Sequence, residues 1–131
     1  MASKRISRKK LIEAARKDGF VHARGSWFVG KDAGLEYSQN NPIVQACFIG
    51  QMAINLSVDA VALKEALDYK YNDIGYQIIN WNDEDMLSYK QILEKFEAHL
   101  NFMGPMDIYV SEKEYSVIRK ENSDGVASST T

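Results

Sequence analysis

The sequence predicts a single α+β domain that is rich in helix, and three observations lead to that class. The chain has 131 residues, of which 45% are apolar and 26% charged, proportions typical of one domain with its own core. Several stretches carry apolar residues at helical spacing. Residues 20–37 instead contain short β-like runs separated by glycines, which predict one or two strands or a small hairpin.

We expect three parts along the chain. Residues 1–19 form a basic N-terminal arm with a short helix at Ser7–Lys17, where Leu11, Ile12 and Ala15 recur at helical spacing. Residues 20–120 form the globular domain. Residues 121–131 form a polar, flexible tail that is too poor in apolar side chains to pack.

The stretch Pro42–Leu56 is predicted to be the central, buried helix. Asn41 and Pro42 form its start signal, because asparagine caps helices and proline fits the first helical position. The side chains that follow are apolar on almost every face, which predicts burial on several sides. Gly50 within this stretch predicts a neighbouring element that approaches closely.

Two amphipathic helices are predicted to pack against the central one. The first runs from Val58 to Tyr71 with Ser57 as its cap. The second begins at Ser88, which has capping-box spacing to Gln91, and ends at 104–105, a Gly-Pro pair.

The shorter segments around these helices are less sharply defined. Residues 74–79 fit either a short helix or a strand, because periodicity cannot separate the two in so short a run. Residues 106–110 are expected to form a strand, and Ser111 with Glu114 to cap a last short helix.

The net charge of −2 hides an uneven distribution. Residues 1–17 carry seven Lys and Arg against Glu13 alone, whereas the remaining residues are acidic overall. The seven cations are Lys4, Arg5, Arg8, Lys9, Lys10, Arg16 and Lys17. Such a cluster could neutralise nucleic-acid phosphates or dock on an acidic protein surface, of this chain or of a neighbour. The acidic body and the lack of interleaved aromatic residues favour the protein surface.

A possible pocket is the second candidate site. Its predicted members are Trp27, Cys47, Trp81, Asn82, Asp83 and Asp85. The polar run at 82–85 could bind a hard cation, but Leu87 and Ser88 break the register of a calcium loop, so no metal is predicted. The simpler interpretation is that Trp81 anchors the loop while Asn82 and Asp83 bind backbone amides.

Cys47 is the one candidate nucleophile, with His22 or His99 as its base. Its apolar neighbours favour a buried, inert thiol instead. The spacing of these three residues fits no zinc motif, and no glycine-rich phosphate loop is present, so no catalytic residue and no cofactor are predicted.

The targeting signals in the sequence predict an intracellular protein. The N-terminal charges are not followed by the apolar core of a secretory signal, and the longest apolar run is too short to span a bilayer. One unpaired cysteine is typical of a reducing compartment. We therefore expect a cytoplasmic location and no membrane partner.

The stretch from Trp27 to about Met103 contains a pattern of short motifs. In chain order they are Trp27 with Gly30, Cys47 with Gly50, and Trp-Asn-Asp at 81–83 before the Ser88 helix. In this pattern the chain resembles a small uncharacterised domain family of actinobacteria and their phages. That family has no assigned activity, so the resemblance implies a phage or bacterial origin and no chemistry.

Three functions therefore stay open. We favour a small non-enzymatic phage or bacterial accessory protein, acting by binding a macromolecular partner or by self-association, and we expect that partner to be a protein or a second copy of the chain. The first alternative is a nucleic-acid-binding module that uses the basic arm. The second is a small-ligand binder or enzyme with a pocket near the 81–83 loop.

Overall fold

The computed structural model describes residues 2–120, which form five short strands, five α-helices and one π-helical turn. In chain order they are β1 (Ser3–Ile6), α1 (Arg8–Ala15), β2 (Val21–His22), β3 (Phe28–Gly30), β4 (Ile43–Ala46), α2 (Phe48–Leu56), α3 (Ala60–Lys70), α4 (Ile74–Ile79), a π-helical turn (Asn80–Glu84), α5 (Tyr89–Met103) and β5 (Ile108–Ser111). The predicted helix-rich α+β class is confirmed. The predicted tail at 121–131 lies outside the described residues.

The N-terminal segment is part of the folded body rather than an arm attached to it. β1 pairs antiparallel with β5, so that Ser3 faces Ser111 and Ile6 faces Ile108. Ile6 and Leu11 are fully buried in the main core. Leu11 and Ala15, two of the positions that predicted the short helix, are thus among the buried residues that attach the segment to the body.

The prediction of one helix over Pro42–Leu56 is wrong in its first third. Residues Ile43–Ala46 form β4, the middle strand of the second sheet, parallel to β2 and antiparallel to β3. The β-branched residues Ile43 and Val44 suit a strand. Ile43 also accepts a hydrogen bond from Ile118 N and donates one to Ser116 O, at 2.8 and 2.9 Å. These pairings with distant segments outweigh the local start signal.

The remainder of that stretch, α2, is buried as predicted. Its N-cap is Cys47, not Asn41. α1, α3 and α4 pack around it. α5 reaches it through aromatic contacts of Phe48 with Tyr89 and Phe96, whose ring centroids lie 4.7 and 5.5 Å away.

The two flanking helices form where the sequence predicts them, but the N-cap of the first one differs. α3 is capped by Asp59, because Ser57 adopts a left-handed conformation with φ of 58° at the end of α2. α5 has the predicted capping box of Ser88 and Gln91 and ends at Gly104. Residues 74–79 are helical.

The last predicted helix, after Ser111, does not form within 112–120. This segment runs beside the second sheet, where Val117 bridges to Ile43 and packs on a small core around Phe20. Among residues 2–120, no helix is long and apolar enough to cross a membrane.

Gly50 shows the predicted close approach, and it positions the site described next. A Cβ at this position would collide with the Trp27 carbonyl oxygen. Cys47 N donates to the same oxygen at 3.1 Å. The segment that enters β3 therefore lies directly on the first turn of α2.

Candidate functional site

The predicted pocket exists as a cavity of about 230 Å³ between this segment, α2 and α4. Four of the six predicted residues line it: Trp27, Cys47, Asn82 and Asp83. Trp81 instead packs half-buried against the core, with Lys95 Nζ 5.5 Å from its ring centroid. Asp85 is exposed at the end of the π-helical turn.

Asn82 lines this cavity and is a hydrogen-bonding hub that connects several segments of the chain. Its side chain is buried, with the residue only 2% exposed. Nδ2 donates to Ala23 O at 3.0 Å and to Asp83 Oδ1 at 2.7 Å. Oδ1 accepts from Phe48 N at 3.4 Å and contacts His22 Nε2. The side chain thus joins β2, α2 and the π-helical turn, and its hydrogen-bonding capacity is used inside the protein.

Asp83 binds a backbone amide, as the simpler sequence interpretation expected. Its Oδ1 accepts from Gly25 N at 2.8 Å. Arg24 donates to the carbonyl oxygens of Asn82 and Leu87. These bonds fix the 24–25 connection to the π-helical turn. Nowhere in residues 2–120 do three or more His, Cys, Asp or Glu residues gather as metal ligands would.

The Cys47 thiol has the environment of an inert group. The residue is 7% exposed, and its Sγ accepts from Gly50 N at 3.3 Å. Burial raises the pKa of the thiol to about 11. Neither candidate base hydrogen-bonds to it: His22 contacts Asn82, and His99 Nε2 lies 2.6 Å from Tyr71 O. The cavity is also smaller than the roughly 300–1,000 Å³ of typical ligand pockets.

The seven basic residues divide into two groups. Three bind the body of the same chain: Lys4 donates to Leu56 O at 2.7 Å, Arg5 pairs with Asp107 at 2.9 Å, and Arg16 pairs with Glu97 at 2.8 Å. The other four, Arg8, Lys9, Lys10 and Lys17, form no ion pair within 2–120.

A larger concave surface, which sequence reasoning missed, lies next to the predicted pocket. We call it the aromatic groove, and its volume is about 560 Å³. It is formed by β3, residues 33–37, the start of α3 and residues 113–115. Phe28 lies at its centre, with ring centroids of Tyr37 and Tyr115 at 5.1 and 5.0 Å. Leu35 and Val61 line it with 64% and 48% of their surface exposed.

Asn41 gives one wall of the groove its shape. Its Nδ2 donates to the carbonyl oxygens of Asp32, Leu35 and Glu36, and its Oδ1 accepts from Asp32 N at 2.7 Å. Its side chain lies so close to Gly30 that a Cβ there would overlap it. Asn41, which was predicted to cap a helix, is therefore a buried residue that holds the loop at 32–36 through hydrogen bonds. The glycines at 30 and 34 were the one sequence signal for this loop.

Lys113 occupies the groove with its ammonium group. Its Nζ lies 5.8 and 5.5 Å from the ring centroids of Tyr37 and Tyr115, 3.4 Å from Tyr37 Oη and 3.9 Å from Asp59 Oδ1. Tyr115 Oη donates to Val58 O at 2.7 Å, and burial raises the pKa of this tyrosine. The walls are thus aromatic rings, with the carboxylate of Asp59 close to the ammonium group.

Comparisons of the chain with protein-family models, with curated proteins and with solved structures found no match. The family resemblance drawn from the sequence stays a prediction.

Proposed function

We propose that this protein is a small non-enzymatic accessory protein that binds a protein partner through the aromatic groove. The observation that carries the proposal is the exposure of Leu35 and Val61 beside three clustered aromatic rings. Apolar side chains exposed together in a concavity mark an interaction surface more often than scattered ones do.

The composition of the groove favours a protein over a small molecule. Aromatic side chains are enriched at protein interfaces, where a buried apolar centre is surrounded by a polar rim. Here Phe28, Tyr37 and Tyr115 form the aromatic cluster, and Asp59 and Lys113 are charged residues beside it. Four separate segments of the chain line the groove, and a peptide segment or a partner surface is large enough to contact all of them.

The other parts of the proposal have separate support. The raised pKa and burial of the Cys47 thiol favour a role without catalysis. The same free thiol favours a reducing compartment, and we assign the protein to the cytoplasm of a bacterial or phage-infected cell. The phage or bacterial origin depends on the family resemblance alone.

Affinity capture from bacterial lysate with matched surface variants tests this function. Leu35→Asp and Val61→Asp place a charge in the groove, whereas Phe102→Asp changes an exposed apolar side chain that does not line it. We expect the wild type and Phe102→Asp to retain the same protein and the two groove variants to lose it. Sedimentation velocity on the same set tests self-association through the groove. Equal retention by all variants, or a strict monomer that retains nothing, would contradict the proposal.

Nucleic-acid binding is the second candidate function, and the four cations without ion pairs support it. Arg8, Lys9 and Lys10 lie in the first turn of α1, where the helix dipole is also positive and no acidic residue is present. Such a cluster attracts phosphates in a salt-dependent manner. In a mobility-shift assay at low salt, a Lys9→Glu, Lys10→Glu variant would then bind at least tenfold more weakly than a Lys90→Glu variant. Equal binding by both would exclude this function.

A further inference from the structure

We infer that the partner inserts a lysine or arginine side chain into the aromatic groove, in the place that Lys113 occupies in the free protein. The inference rests on the proposed function, since it specifies the chemistry of the partner at that same groove. Lys113 shows that the groove accepts a positively charged group, because the ammonium of this side chain lies there in the free protein.

The aromatic walls can hold a cation. The ammonium of Lys113 lies 5.5 Å from the ring centroid of Tyr115, within the range of about 6 Å in which the negative face of an aromatic ring attracts a positive charge, and it donates to Tyr37 Oη at 3.4 Å. Phe28 packs against both tyrosines and so supports their orientation. A guanidinium would gain more than an ammonium here, because its flat face can stack on a ring.

The charges of the groove fit a cation from outside. Asp59 and Glu36 both line it, and Lys113 is the basic residue among its lining residues. When the Lys113 side chain leaves, the groove keeps these two acidic residues and no basic residue among those that line it. A positively charged side chain of the partner would restore the balance.

Lys113 is held loosely enough to be displaced. Its side chain is 42% exposed, and its nearest charged partner, Asp59 Oδ1, is 3.9 Å away. An exposed ion pair at this distance contributes little stability. The backbone of Lys113 is anchored separately, since its N–H donates to Ser57 O at 3.0 Å. Exchange therefore needs a rotamer change of one side chain and no movement of the fold.

The surroundings of the cation site indicate which kind of partner segment fits. Leu35 and Val61 are exposed in the same groove, so the partner residues next to the cation are expected to be apolar. The occupant is therefore a basic side chain within an apolar segment, rather than a run of basic residues.

Titration of the full chain with a matched pair of small probes tests the cation site. The probes are Nα-acetylargininamide and Nα-acetylcitrullinamide, which are similar in shape but differ in charge. Binding is followed by NMR on the ring protons of Tyr37 and Tyr115. We expect the arginine probe to bind and the citrulline probe to bind at least tenfold more weakly.

A Lys113 variant and a matched control test whether the probe takes the place of the Lys113 side chain. Lys113→Gln removes the competing cation and should tighten the arginine probe by about tenfold, as expected if that side chain fills the site most of the time. Lys90→Gln, an exposed lysine on α5, should leave the affinity unchanged. A double variant with Glu36→Gln and Asp59→Asn should weaken binding, and asparagine keeps the helix cap that Asp59 provides.

Each other outcome overturns the inference. Equal affinity for both probes would show that charge is not recognised, and equal affinity of Lys113→Gln and Lys90→Gln would show that Lys113 does not compete. Binding of tetramethylammonium without binding of the arginine probe would indicate a small-amine site instead of a protein contact. None of these results depends on Leu35→Asp or Val61→Asp, so failure here is distinguishable from failure of the proposed function.

Discussion

Cys47 caps the central helix of this protein with a sulfur atom. Helix caps are usually oxygen-bearing side chains, and a thiol is a weaker acceptor. Here the cap is buried among apolar neighbours, and the thiol lies against Gly50 N. The residue that looked like a candidate nucleophile in the sequence therefore has a structural role at the start of α2.

The raised pKa of Cys47 predicts slow alkylation. With a pKa of about 11, about one thiol in a thousand is ionised at pH 8, against roughly a quarter for a free cysteine. We expect iodoacetamide to label the folded protein at least 100-fold more slowly than the urea-unfolded protein at pH 8. Because the thiolate is the reactive form, the rate should rise about tenfold per pH unit up to about pH 11. Rates within tenfold of each other at pH 8 would contradict this assignment.

At the scale of elements, the sequence predicted α5 well and β4 wrongly, and the reason is physical. The signals of α5 are local: the capping box of Ser88 and Gln91, an apolar stripe and Gly104. β4 is determined by pairing with β2, β3 and the segment around Val117, which is more than 70 residues away in sequence. A local pattern cannot reveal such partners, so the Asn41 start signal was misleading.

The candidate site shows the same division. The smaller cavity could be predicted in part, because polar and aromatic residues stand out in an apolar sequence. Four of its predicted residues line it: Trp27, Cys47, Asn82 and Asp83. The aromatic groove could not be predicted. Its rings come from β3, from Tyr37 and from Tyr115, and only the completed fold brings them together.

The Asn82 hub predicts a strong dependence of the fold on one side chain. Asn82→Ala leaves Ala23 O and Phe48 N without these partners, and an unsatisfied buried group costs roughly 1–3 kcal/mol. We expect the free energy of unfolding to fall by about 3 kcal/mol, measured by urea denaturation. Asn101→Ala, at an exposed position of α5, should change it by less than about 0.5 kcal/mol. A loss below about 1 kcal/mol in Asn82→Ala would show that the hub is not needed.

At the scale of the whole molecule, the first residues and the last described strand complete one body. β1 and β5 are at opposite ends of the described chain, and they pair only with each other. Arg5 and Asp107 join the same two ends at the surface. The charge asymmetry seen in the sequence is thus partly used inside the molecule. Of the four cations that remain, Arg8, Lys9 and Lys10 lie in the first turn of α1, and Lys17 follows the end of that helix.

This integration predicts that truncation of the N-terminal segment lowers the stability strongly, whereas charge substitution in the same segment changes it little. Removal of residues 1–10 deletes β1 and the fully buried Ile6 and exposes the β5 partner Ile108, and the loss of one buried isoleucine side chain alone costs about 2–5 kcal/mol. We expect the truncated chain to melt at least about 10 °C lower or to lose cooperative unfolding in circular dichroism. Lys9→Glu with Lys10→Glu should change the free energy of unfolding by less than about 1 kcal/mol, since both side chains are exposed and acids favour the first turn of a helix. A truncated chain that melts within about 3 °C of the full one would mean that the segment is an attachment after all. If it unfolds as expected, loss of nucleic-acid binding on truncation carries no information, and the charge variant alone decides that function.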